Sequence, residues 1–167
     1  MAAPHFMLQC NIPWREVSMA GLGETTARLV RSKRQGARRP GPGAGGRLKE
    51  TADFGPNPGA LRMLSYAGKD RPAAAALVVV LHGCTQAAES HAASAGWLTL
   101  ADRLGLVVIA PEQSAANNPN RCFNWFNPQD TARGGGEAAS IRAMIAHAVR
   151  HEGVDSERIY VTGLSAG

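Results

Sequence analysis

The sequence predicts an α/β fold built on a mostly parallel sheet. Three observations carry this expectation. Apolar, β-branched runs at residues 76–83, 106–112 and 158–163 read as strands buried on both faces. Segments of helical period lie between them, at 95–104 and 137–152. Each of those segments closes on a glycine, Gly105 and Gly153. Strands alternating with helices in this way form a parallel sheet with right-handed crossovers.

The chain has 167 residues, enough for one domain with a core but not for two. Its hydrophobic content, 44%, suits a soluble globular protein. The longest apolar run, "AAAALVVVL" at 73–81, falls far short of the roughly 20 residues of a membrane span. The net charge of +5 is unevenly placed. Residues 1–49 hold nine Lys/Arg against two Glu, a net +7, and residues 50–167 hold nine against eleven Asp/Glu, a net −2. The start, "MAAPHFMLQCNIPW", lacks the charged and apolar regions of a secretory signal. Three cysteines, Cys10, Cys84 and Cys122, cannot all pair within one chain, and no two have C-x-x-C spacing, which argues against a zinc site.

Residues 1–46 read as a basic, largely disordered arm. A short helix fits residues 25–34, and "GARRPGPGAGG" (36–46) is a Gly/Pro linker. Six basic residues lie between Arg28 and Arg39 with no aromatic among them, which weakens a nucleic-acid reading. Residues 47–167 read as the folded domain. "FGPNPG" is a turn cluster, and 60–68 is a strand. "KDRPA" is a hairpin-like turn into the run at 76–83. The helix within 95–104 carries Trp97, Leu98, Ala101 and Leu104. The strand at 106–112 leads into a long loop rich in Asn, Pro and Gly, and loops of that length are usually functional or mobile. The helix at 137–152 has an apolar stripe of Ile141, Met144, Ile145, Ala148 and Val149.

"GLSAG", residues 163–167, follows the last strand and matches G-x-S-x-G. In that pattern the serine occupies a sharp, strained strand-to-helix turn, and the glycines leave room for close backbone approach. Ser165 is therefore the candidate nucleophile. Acyl transfer also needs N–H donors for the developing oxyanion. One is the backbone of Ala166, and "LHGC" at 81–84 supplies the loop for the second.

"VVVLHGCTQ", "WLTLADRLGLVVIAPEQ", "NNPNRCFNWF", "RIYVTGLSAG" and the upstream "GRLKETADFGPNPGALRMLSY" together resemble the esterase/poly(3-hydroxybutyrate) depolymerase family over about residues 46–167. The resemblance implies an α/β-hydrolase fold and a carboxylic ester hydrolase, polyhydroxyalkanoate depolymerase-like or feruloyl/acetyl esterase-like. It places the nucleophile on Ser165, the oxyanion donors on the backbone of Cys84 and Ala166, and a disulfide on Cys84 and Cys122. Trp125 and Phe126 flank the expected cleft, where an apolar polyester or aromatic ester could pack on them or they could serve packing alone. The implied mechanism needs no metal and no cofactor, and its partner is the ester substrate. Many family members are secreted, so an extracellular location is implied, with the cytoplasm the alternative because no signal is visible.

In the α/β-hydrolase fold the triad runs Ser, Asp/Glu, His along the chain. His82 precedes Ser165 and is expected to brace the loop. His91 is expected at the site edge, and His147 and His151 on a solvated helix face. In relatives the triad Asp and His, with further strands, follow the serine. The 167 residues are thus expected to be a domain truncated after the nucleophile elbow, with little or no turnover alone. Other readings are a different α/β-hydrolase, such as a prolyl-oligopeptidase-type peptidase or a lipase, or a non-catalytic binding module using the basic arm.

Overall fold

The computed structural model describes residues 46–167, within the compact unit Pro40–Gly167. The expected helix at 25–34, Cys10 and all but the end of the linker lie outside the described residues. The strands are β1 (Lys49–Thr51), β2 (Arg62–Ala67), β3 (Ala75–Leu81), β4 (Val107–Glu112) and β5 (Val154–Gly163). The helices are α1 (Ala88–Ser94), α2 (Trp97–Leu104), α3 (Pro128–Thr131) and α4 (Gly136–His151). The five strands form one sheet in the order β1-β2-β4-β3-β5. β4, β3 and β5 are parallel, while β1 and β2 join antiparallel at one side.

Alternation along each strand sends side chains to two faces. One face packs Leu64, Val78, Val80, Val108 and Ala110 against Ala88 and Ala92 of α1 and Leu98 and Ala101 of α2. The other packs Met63, Leu77, Val79, Val107 and Ile109 against Met144 and Ala148 of α4, with Phe54 and Phe123. β3 and β4 read as unbroken apolar runs because both of their faces are covered in this way.

Four expectations need correction. The segment 69–73 is no hairpin: β2 pairs with β4, from Arg62 opposite Glu112 to Ala67 opposite Val107, and β3 lies on the far side of β4. Gly68 N donates to Leu106 O at 2.8 Å, which turns the chain toward β4. The strand at 158–163 is longer, starting at Val154 with a register break opposite Ala75 to Leu77, and it is not buried. It pairs only with β3 among the described residues, so Tyr160 and Val161 are exposed. Leu104 is exposed too, since the buried face of α2 centres on Leu98 and Ala101 and leaves Trp97 and Leu104 at its margin. Finally, α1 precedes α2 and breaks from it at Gly96, whose φ of 84° ends the first helix. Its sequence, "AESHAAS", has no large apolar residue to reveal a stripe.

Candidate active site

Ser165 stands where β5 ends. The chain turns back at once: Leu164 N donates to Leu81 O at 3.2 Å, and Gly167 N to Leu164 O at 2.9 Å. The turn forces Ser165 to a φ of 55°, in the left-handed region that non-glycine residues rarely occupy. Both flanking glycines are sterically required. A Cβ on Gly163 would lie 2.3 Å from the Gly167 carbonyl carbon, and one on Gly167 would lie 2.4 Å from Leu81 O. The G-x-S-x-G spacing is thus the sequence imprint of a backbone folded onto itself and onto the end of β3. The serine side chain is left exposed at the carboxyl end of the parallel strands, where α/β sheets hold their ligands.

The loop after β3 lies against this turn. A Cβ on Gly83 would be 3.3 Å from Leu164 O and 3.5 Å from Ser165 Cβ, so the absence of a side chain there lets the two segments touch. Gly83 N donates to Gln86 Oε1 at 2.8 Å, which closes the loop on itself. Among the described residues, neither Cys84 N nor Ala166 N donates to a protein acceptor. A disulfide joins Cys84 to Cys122, and Thr85 N donates to Asn120 O at 2.7 Å. Together they clamp the loop after β3 to the long loop after β4.

A buried polar network stands behind both loops. His82 is fully buried, with Nδ1 at 2.8 Å from Gly83 O and Nε2 at 3.1 Å from Gln113 N. A carbonyl accepts and an amide donates, so Nδ1 carries the proton and Nε2 accepts. Both ring nitrogens are engaged, and His82 braces the loop with nothing left to act as a base. Gln113 follows β4 as His82 follows β3. Its Nε2 donates to Cys122 O and to Glu137 Oε1, and its Oε1 accepts from Ser114 N and Asn117 Nδ2. Glu137, in the first turn of α4, accepts from Asn124 N at 2.9 Å through its other oxygen. Burial holds its carboxyl above the usual value, partly offset by those two donors. His91 is buried in α1, and burial followed by the nearness of His82 pushes its imidazole pKa down.

Gln113, Asn117, Asn124 and Glu137 were not singled out from the sequence. The only signal was a polar residue directly after a buried strand, beside an Asn-rich loop. Trp125 and Phe126 follow Asn124 and lie 68% and 62% exposed, in edge-to-face contact at 5.8 Å. Among the described residues neither belongs to a core cluster. The short helix α3, capped by Asn127 with Pro128 at its first position, ends this aromatic segment.

A groove lined by Arg47, Lys49, Ser65, Tyr66 and Glu152 lies at the amino ends of the strands, away from Ser165. Among the described residues no three His, Cys, Asp or Glu gather as a metal cluster, and no helix is long and apolar enough to cross a membrane.

The chain is similar to known esterases and depolymerases. The model of the esterase PHB depolymerase family matches residues 64–167. The chain is similar to poly(3-hydroxyalkanoate) depolymerase C of Paucimonas lemoignei, 48% identical over 72% of this chain and 29% of that protein. It is 33% identical to feruloyl esterase B of Talaromyces stipitatus over 72% of this chain and 33% of that one. Its fold is similar to that of acetyl xylan esterase from Aspergillus awamori, with a TM-score of 0.64 and 30% identity, covering 72% of this chain and 43% of that one. The chain therefore spans less than half the length of each of these relatives.

Proposed function

The chain belongs to the esterase PHB depolymerase family, with the α/β-hydrolase fold, and from that premise we propose that the whole protein hydrolyses carboxylic esters with Ser165 as nucleophile. One observation carries the reading: Ser165 is held at a φ of 55° at the carboxyl end of β5, with Gly83 packed against it. In the proposed reaction Ser165 Oγ attacks the ester carbonyl after losing its proton to a base. The N–H groups of Cys84 and Ala166 donate to the tetrahedral oxyanion, the intermediate collapses as the alcohol leaves with that proton, and water then hydrolyses the acyl-enzyme to the free acid and Ser165. Their lack of a protein acceptor among the described residues supports that role.

Polyesters and feruloyl or acetyl esters are the substrates that the relatives' names suggest, and the exposed Trp125–Phe126 pair offers an apolar face to either kind. The Cys84–Cys122 disulfide favours an oxidising, extracellular setting. The basic arm, residues 1–46, is assigned no part in the reaction.

The test is an assay of the whole protein on p-nitrophenyl butyrate and on a peptide anilide. Hydrolysis of the ester but not the anilide is expected, and Ser165→Ala should lower kcat by at least about 10³-fold. A Ser165→Ala variant that keeps its rate would remove the assignment.

A further inference from the structure

The last two turns of α4 carry His147 and His151. Residues four apart on a helix lie one above the other on the same face. Here the two imidazole rings come together, with centroids 4.5 Å apart and planes tilted by 38°. His151 is exposed and His147 half-buried, so the pair opens to solvent.

We propose that His147 and His151 chelate one divalent late-transition-metal ion, with water completing its coordination. Imidazole nitrogens bind such ions at about 2.0–2.1 Å, and two rings on adjacent positions of one ion then have centroids roughly 4.5–5 Å apart. The observed spacing therefore requires rotation of the rings and no movement of the helix. Paired histidines at i and i+4 are also the arrangement by which a helix presents two nitrogens to one zinc ion. The ligand type selects Zn(II), Ni(II) or Cu(II) over Mg(II) and Ca(II), which prefer oxygen.

The surroundings favour a cation. The pair sits at the carboxyl end of a 16-residue helix, where the helix dipole is negative. The charged groups near His147 are Asp53 and Glu152, which attract a cation, and Arg150, which opposes one. Glu152 is also paired with Arg71 at 3.1 Å. The sequence places both histidines on a solvated helix face, and a two-imidazole chelate needs no cysteine.

The site lies at the amino end of β5, whereas Ser165 lies just past its carboxyl end, so the metal would not join the ester chemistry. Its effect would be to staple the last two turns of α4.

The experiment is a calorimetric titration of the untagged 167-residue chain with NiCl2, followed in parallel by NMR of the histidine imidazole signals. One equivalent should bind, with paramagnetic broadening concentrated on His147 and His151. His147→Gln and His151→Gln should each lower the affinity at least about tenfold, equivalent to about 1.4 kcal/mol. Saturating Ni(II) should raise the thermal midpoint of the parent chain and not of either variant. Neither position belongs to the buried core, and the far-UV circular dichroism of the variants should match the parent. No binding, or equal affinity in parent and variants, or broadening confined to other histidines, would overturn the proposal.

Discussion

A serine at a φ of 55° carries a backbone cost of about 1–3 kcal/mol, which the surrounding turn must hold in place. The two flanking glycines make the turn possible, but Ser165 itself has a Cβ and bears the strain. Ser165→Gly is therefore expected to stabilise the chain by about 1 kcal/mol in urea denaturation, since glycine occupies this region freely. Ser165→Ala keeps the Cβ and should give no comparable gain. Equal stabilities for the two variants would show that the position stores no backbone strain. The neighbouring polar side chains solve a different problem. Gln113 is almost wholly buried, and its amide groups are matched by Cys122, Glu137, Ser114 and Asn117, so no desolvated donor or acceptor is stranded.

At the scale of elements, the Cys84–Cys122 bridge spans 38 residues and joins two loops that no strand pairing connects. Closing a loop of that length is worth about 3–4 kcal/mol in the chain-entropy picture. Cys84→Ser/Cys122→Ser should lower stability by roughly that amount, read from the shift in urea midpoint between the parent and the double variant. A stability change of less than about 1 kcal/mol would show that the hydrogen bonds between the loops hold them without the bridge.

A second junction joins β2 to α2. The Asp102 carboxylate accepts from the Tyr66 hydroxyl, from Arg47 and from Lys69 N, and its pKa falls from 3.8 to about 2, chiefly through Tyr66 and then Arg47. A depressed carboxyl pKa adds stability above the unfolded value that is lost as the folded value is approached from above. Stability should therefore drop between about pH 4 and pH 2, and Asp102→Asn should flatten the profile in that window. A variant with the parent's acid profile would exclude Asp102 as a source of the drop.

For the molecule as a whole, β5 decides how the chain behaves in solution. Among the described residues its outer edge is unpaired, and Tyr160, Val161 and Leu164 are at least half exposed beside it. An open, apolar strand edge is a template for pairing with another chain. Val161→Lys places a charge on that edge and is expected to lower light scattering on concentration, with an unchanged far-UV spectrum. Scattering equal to that of the parent would locate the sticky surface elsewhere, with exposed Trp125 and Phe126 as the next place to look.

The sequence by itself determined the strand runs, the helix α4 and the position of the serine at a turn. Each is written in local terms: a β-branched run, a 3.6-residue stripe, and glycines on either side of one serine. The family resemblance carried the disulfide, because cysteine spacing alone leaves its pairing open. Only the tertiary structure decided which strands are neighbours, since the edge-to-edge choice of β4 over β3 as partner for β2 is a long-range pairing with no local signature. It also decided the roles of His82, Gln113 and Glu137, three residues far apart in the chain. Their hydrogen bonds exist only once the carboxyl ends of β3 and β4 and the first turn of α4 have been brought side by side.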